Sequence, residues 1–325
     1  MQYRPFGKTG IQASAIAFGC GKTGGLLISG SDADRRLAVR KALDGGINWF
    51  DTAADYGDGK SEEALGWLLE EVPEDPYVST KVTVDPGVGD LPGQIEESLA
   101  ASLKRLRRDH VTVLQLHNRI DPAAGGKALT LEQVLGADGV AEGLERVRDK
   151  GMARQIGLTA LGDAAACAEA IASGRFDSAQ VFYNLVNPSA ARPMPAGWSG
   201  QQLTGIMAAA RATATAVLAI RVLAGGIIAL PKRPERVSMM TKDTDPDIEE
   251  TKAAAVFRTL CERYGDRPMT AARFALGCEG ISTVLVGIGA PAHVDAALAA
   301  EKAGSLPEEA LLDLEKLYAG DFGLG

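Results

Sequence analysis

The chain has 325 residues, a net charge of −8 and a pI near 5.1, with 46% hydrophobic and 23% charged residues. This is the makeup of a soluble globular protein, long enough for two domains or one large barrel, and its acidity argues against binding nucleic acid. Cys20, Cys167, Cys261 and Cys278 have neither Cys-x-x-Cys spacing nor a partner histidine, so neither a metal site nor a disulfide framework is expected.

At the N-terminus, YRPF and IQAS flank GKTG, which predicts a short β-hairpin. Strand-like runs then alternate with helical segments: residues 13–19, 48–52, 77–81, 111–117, 153–159, 178–184, 216–222 and 282–287. Several are almost continuously apolar, as strands buried on both faces of a parallel sheet must be. The GCGKTGG segment at 19–25 matches neither a dinucleotide fingerprint nor a P-loop, and its glycines read as turn formers. Ser61, followed by Glu62 and Glu63, predicts a helix N-terminus with a capping hydroxyl and acids at the positive dipole end.

Ile95, Leu99, Leu103 and Leu106 form one helical face, ending in the cationic run 104–108, where positive charge suits the dipole. Val140, Leu144 and Val147 form another face before Gly151, a candidate C′ glycine. Connections 185–200 and 223–248, rich in Pro, Gly and charge, read as long loops over the strand C-termini, and LPEEALLDLEKLYAG as one extra helix. The expected fold is α/β: one (β/α)₈ TIM barrel domain over residues 1–325, with an N-terminal β-hairpin and an extra C-terminal helix. A doubly wound sheet is the runner-up. The start lacks a signal-type core, and Arg221 and two glycines interrupt the most apolar stretch, so a cytoplasmic protein with no membrane contact is expected.

The second, third and fourth strand-like runs end on or near Asp51, Lys81 and His117, with Tyr56 in the loop beyond Asp51. Wound in sequence order, these strands gather the four residues at one rim. A phenol near pKa 10 is a poor acid until an ammonium stabilises its phenolate, and a carboxylate holds that ammonium charged and oriented. Tyr56 then exchanges a proton with a carbonyl or alcohol oxygen while His117 hydrogen-bonds to that oxygen. Such a site needs a hydride carrier, usually nicotinamide. Taken singly, Asp51 and Lys81 also read as a rim ion pair, Tyr56 as loop padding and His117 as a core histidine. Trp49 shares the face of Asp51 and reads either as a pocket wall or as barrel packing. Cys20 reads as pocket lining or as a small buried hydrophobe.

NWFDTAADYGDGKSEEALG (48–66), STK, LQLHN, IGLT, QVFYN and the glycine-containing last strand make the chain resemble the aldo-keto reductase family over nearly its whole length. DTAxxYG followed by SExxLG is a specific motif, not a generic barrel pattern. The resemblance implies a (β/α)₈ barrel, NAD(P)-dependent interconversion of carbonyls and alcohols, and a catalytic tetrad of Asp51, Tyr56, Lys81 and His117. It places the cofactor on Thr159, Gln180, Arg221, Leu223, Gly225, Gly287, Gly289 and His293, and the substrate on Trp49, Cys20 and Asn118. The chain departs from the usual cofactor set: Thr159-Ala160 stands for Ser-Asn, Ile220-Arg221 for Tyr-Ser, and Ala296-Ala297 for Glu-Asn. A 2′-phosphate wants Arg or Lys, and here only His293 lies nearby, which tilts the expectation to NAD over NADP. Arg221 or the Lys232-Arg233 pair offers a cation from another direction. The similarity to sugar- and small-aldehyde-oxidising members implies a small carbonyl or alcohol as substrate. Two other readings are a nicotinamide-binding sensor or auxiliary protein with little turnover, and a lyase forming a Schiff base on Lys81. The sequence leaves the oligomeric state open.

Overall fold

The computed structural model describes residues 1–123, 125–232, 245–261 and 263–324. Strands β1 (Tyr3–Pro5) and β2 (Gln12–Ser14) pair antiparallel as a hairpin. Eight parallel strands follow: β3 (Ile16–Gly19), β4 (Trp49–Asp51), β5 (Tyr77–Val82), β6 (Val111–Leu116), β7 (Ala153–Thr159), β8 (Ser178–Phe182), β9 (Ala216–Ile220) and β10 (Ile281–Gly287). They close in sequence order, with β10 pairing back onto β3 at Val284↔Ile16 and Gly287↔Gly19. Helices lie between the strands, and a further helix, Glu308–Ala319, follows the last of them. This is the (β/α)₈ barrel with its hairpin.

The expected strand over 13–19 is two pieces. Ala13 and Ser14 belong to the hairpin, and only Ile16–Gly19 enters the barrel. Strand alternation then sorts the apolar residues into two cores. Inward-facing Ala17, Trp49, Val113, Leu218 and Leu285 fill the barrel and pack on Phe6 from the hairpin loop. Outward-facing Ile16, Phe18, Phe50 and Leu114 pack on the helices. Ile95, Leu99, Leu103 and Leu106 are the buried face of helix Leu91–Leu106, and Val140, Leu144 and Val147 that of Val140–Asp149. Gly151, two residues past that helix, has φ 76, the left-handed geometry of a C′ residue.

The expected cap at Ser61 is not one. Helix Lys60–Glu70 starts from Gly59 (φ 89), without a side-chain cap. Ser61 is buried, donates to the Cys20 carbonyl at 3.0 Å and lies 2.9 Å from Thr52 Oγ1. Glu62, also buried, accepts from Thr80 Oγ1 at 2.5 Å and Arg105 Nε at 2.7 Å. The SExxLG segment thus ties this helix to the barrel rim and to helix Leu91–Leu106. At its last residue, a Cβ on Gly66 would stand 2.4 Å from the Arg105 carbonyl oxygen, so only glycine permits that approach.

The 185–200 connection is an irregular loop whose first part is packed into the protein, while 191–197 are exposed or half-buried. Leu185, Val186, Asn187, Ser189 and Ala190 are buried, and Tyr318 of the last helix donates to the Leu185 carbonyl at 3.0 Å. Helix Pro246–Leu260 takes in the end of the expected 223–248 loop. Arg233 lies outside the described residues. No helix among the described residues is long and apolar enough to cross a membrane.

Candidate active site

Strand β4 has only three residues, which alternate in, out, in. Trp49 points to the barrel floor, Phe50 to the helices, and Asp51 to the upper rim of the barrel. Register places Asp51 beside Ser79 of β5, with Lys81 one inward position further along. Both charged groups are buried, Asp51 at 4% and Lys81 at 2% exposure. Lys81 Nζ donates to Asp51 Oδ1 at 2.5 Å and to the Thr52 carbonyl at 2.6 Å. Asp51 Oδ2 accepts from Ser79 Oγ and Gln180 Nε2, each at 2.6 Å. Burial weakens the hold of Lys81 on its proton, but Asp51 and Tyr56 outweigh it and keep the ammonium well above its ordinary range.

Tyr56 follows in a turn built by three successive positive φ values, Gly57 at 63°, Asp58 at 55° and Gly59 at 89°. The YGDG sequence is the chemistry this turn demands. The turn folds the half-buried Tyr56 back over the rim, with its ring centroid 4.8 Å from Lys81 Nζ. His117, one residue past β6, meets the Tyr56 ring edge-on at 6.0 Å between centroids. The structure therefore brings Asp51, Tyr56, Lys81 and His117 together. The expected lowering of the phenol pKa does not result. Burial pushes it up, and although Lys81 pulls it down, Asp51 and Asp55 add to the rise, so the net shift is upward.

Asp51, Tyr56 and His117 open on a cleft of about 420 Å³ at the C-terminal ends of the strands, lined also by Lys22, Asp55 and Arg221. Asp55 and Lys22 were missed in the sequence, although Asp55 sits inside DTAADYG and Lys22 inside GCGKTGG. Asp55 Oδ1 lies 3.5 Å from His117 Nδ1, and Asp55 Oδ2 lies 3.8 Å from Lys22 Nζ.

The three expected substrate contacts are not among the residues lining this cleft. Trp49 is fully buried, its ring tilted against Phe6 with centroids 4.4 Å apart, and its Nε1 donates to Ser79 at 3.0 Å. It is barrel packing that also steadies the donor to Asp51. Cys20 is buried, and burial pushes its thiol well up, so it stays a small uncharged filler. Asn118 donates to the Val84 and Lys127 carbonyls and accepts from Val84 N, an amide fully engaged in joining loops.

Of the expected cofactor residues, Gln180, Arg221 and Gly287 line the cleft. Thr159 ends β7 with a buried hydroxyl that has no hydrogen-bond partner among the described residues. Leu223 and Gly225 lie in a 3₁₀ turn after β9, with Gly225 at φ 69. Gly289 donates its N–H to His293 Nδ1 at 3.1 Å. The GCGKTGG loop packs on that same turn, where a Cβ on Gly24 would stand 2.3 Å from the Ile288 carbonyl oxygen. The described residues contain no group of three or more His, Cys, Asp and Glu placed to hold a metal ion.

Behind the cleft, burial weakens the proton affinity of Arg221, partly offset by Glu249. Burial pushes the Glu249 carboxyl up to about 7, against the pull of Arg221 and Lys252. Glu249 Oε2 has no hydrogen-bond partner among the described residues. Between pH 4.5 and about 7 the unfolded chain releases this proton while the folded chain keeps it, so stability falls as pH rises through that window. Glu249→Gln is expected to remove this dependence, stabilising the protein at pH 7.5 by up to about 3 kcal/mol relative to pH 4.5. Urea denaturation at both pH values measures it, and equal wild-type and variant pH slopes would refute the assignment.

Residues 15–319 match the model of the aldo/keto reductase family. L-galactose dehydrogenase of Arabidopsis thaliana is 26% identical over 309 residues, covering 92% of this chain and 88% of that protein. An aldo-keto reductase of Bacillus halodurans, in its holo form, superposes with a TM-score of 0.73 at 20% identity, covering 98% of this chain and 96% of that one. One from Klebsiella pneumoniae, in complex with NADPH, gives a TM-score of 0.69 at 18% identity over the same shares. With a family match over nearly all of its length and the barrel that goes with it, the chain belongs to the aldo/keto reductase family.

Proposed function

We propose that this oxidoreductase moves a hydride between a nicotinamide dinucleotide and a small aldehyde, ketone or aldose, with Tyr56 as general acid and base. The observation that carries the reading is the Tyr56 ring standing 4.8 Å from an ammonium that Asp51 locks in its charged form. In reduction, Tyr56 gives its proton to the carbonyl oxygen as negative charge develops there, and Lys81 stabilises the resulting phenolate. His117 orients the same oxygen from the facing side of the cleft. Gln180, by bonding Asp51 Oδ2, keeps the acid aimed at Lys81. The sugar reading draws support from the relative named L-galactose dehydrogenase.

The nicotinamide supplies the hydride when bound. The residues fit such a group: among the described residues, the buried Thr159 hydroxyl has no hydrogen-bond partner, and a Cβ on Gly287 would find only Gly24 N within 4 Å, at 3.6 Å. Thr159 and Gln180 would hold the amide end and the 287–293 turn the adenosine end. A Schiff base on Lys81 draws no support, because a nitrogen held protonated by Asp51 has no free electron pair to attack with.

NADPH in the Klebsiella relative favours NADP, whereas the 287–293 turn here brings only His293 to a 2′-phosphate. The sequence tilt to NAD is therefore replaced by weak discrimination. Separate fluorescence titrations of NADH and NADPH should give dissociation constants within about tenfold, since the 287–293 turn supplies no guanidinium fork, which contributes about 1.5–3 kcal/mol. A preference above a hundredfold for either would reject this. The function itself is tested by loss of the reduced-nicotinamide absorbance over a panel of aldehydes and aldoses. Tight cofactor binding with no turnover on any of them would indicate a sensor instead.

A further inference from the structure

Building on that reading of the site, we infer that Asp55 and Lys22 form a hydroxyl-recognition clamp, which selects carbonyl substrates bearing an uncharged hydroxyl on the neighbouring carbon. The two side chains come from different loops, Lys22 from the segment after β3 and Asp55 from the segment after β4. Both line the cleft and both are about half exposed, at 54% and 50%. Neither gives or takes the transferred proton, although Asp55 borders His117.

The distances argue for a guest. A charge-assisted N–H···O bond closes to about 2.7–2.9 Å, yet Asp55 stands 3.8 Å from Lys22 and 3.5 Å from His117 Nδ1. Each Asp55 oxygen has one loose partner and unused lone pairs. His117, Lys22 and Lys81 outweigh the effect of burial and keep Asp55 ionised. An ionised carboxylate only accepts, and an ammonium only donates. A hydroxyl does both: it donates to Asp55 and accepts from Lys22, tightening a pair that is otherwise too long.

The placement fixes which hydroxyl. Asp55 precedes Tyr56 directly, so their Cα atoms lie about 3.8 Å apart, and Asp55 also borders His117, the group that faces the reacting oxygen. A hydroxyl at the clamp is then one carbon from the carbonyl. A 2-oxo acid would instead bring a carboxylate against Asp55. The favoured class is the 2-hydroxyaldehydes and their aldose relatives.

The test compares kcat/KM for glycolaldehyde, acetaldehyde and glyoxylate, with wild type, Asp55→Leu and Lys22→Met, after fluorescence titration has shown that each variant binds cofactor. Wild type should favour glycolaldehyde over acetaldehyde by about tenfold or more, and Asp55→Leu should bring that ratio close to one. Lys22→Met should lower the ratio severalfold. Its position on a half-exposed loop keeps the test available if Asp55→Leu does not fold. A wild-type ratio near one, a ratio unmoved by either substitution, or a preference for glyoxylate overturns the clamp. If none of the three is reduced, nor any other aldehyde or aldose, it is the oxidoreductase reading that fails.

Discussion

Tyr56→Phe should lower kcat for aldehyde reduction by about 10²–10⁴-fold while leaving cofactor affinity within a factor of two or three. The substitution deletes one oxygen and leaves the ring that meets His117 and lies over Lys81. The loss is therefore of the proton donor, not of packing. Because burial holds the phenol above 10.0, reduction by wild type should be flat between pH 6 and 9, the acid form being fully present. Alcohol oxidation needs the phenolate, so its rate should climb with pH throughout that range without a plateau. Single-turnover reduction and steady-state oxidation, followed by nicotinamide absorbance, give both profiles. A Tyr56→Phe enzyme with near-normal kcat, or oxidation that levels off near pH 7, would remove Tyr56 from its role.

That pH profile rests on a point the sequence misjudges. Adjacency in a motif shows that Lys81 pulls on the phenol, and the structure has that pull with the expected sign. It does not show how much water the turn excludes, nor that Asp55 adds its own charge. What the sequence does carry is strand period. Trp49, Phe50 and Asp51 alternate faces, and Asp51, Lys81 and His117 lie at or just past the ends of apolar runs, so the rim cluster is legible from spacing. Trp49 looks like a pocket wall because period alone cannot tell the upper barrel layer from the floor. Only the hairpin, which brings Phe6 beneath it, decides. Ser61 looks like a cap because its local pattern suits one, yet partners some 40 residues away, at Cys20, claim its hydroxyl. Asn118 looks free until Val84 and Lys127 occupy its amide. Ser61 and Asn118 are polar side chains whose partners lie elsewhere in the sequence, which no local pattern encodes.

The second large effect concerns stability. Asp51→Ala should destabilise the fold by about 3–5 kcal/mol at pH 7, because it leaves the Lys81 ammonium buried without a carboxylate, against the neutral Thr52 carbonyl and Tyr56. The pH dependence separates this from simple cavity formation. In wild type, Asp51 holds Lys81 above 10.5, so the contribution of the pair is fully present below that pH and is lost only as pH rises beyond it. Without Asp51, burial drives the lysine the other way, and the folded variant releases a proton that the unfolded chain retains up to 10.5. Its stability should therefore rise as pH approaches 10.5 from below, where wild type shows no such gain from this group. Replacing both partners, Asp51→Leu with Lys81→Met, should recover most of the deficit, since an apolar pair of similar volume carries no unpaired charge. That double variant should nonetheless be inactive, because nothing then stabilises the Tyr56 phenolate. Guanidinium denaturation of the three proteins at pH 7 and pH 9.5 provides the comparison. A single variant within 1 kcal/mol of wild type, or with no gain at pH 9.5, would mean that water reaches Lys81 and that the ion pair is not the buried anchor described here.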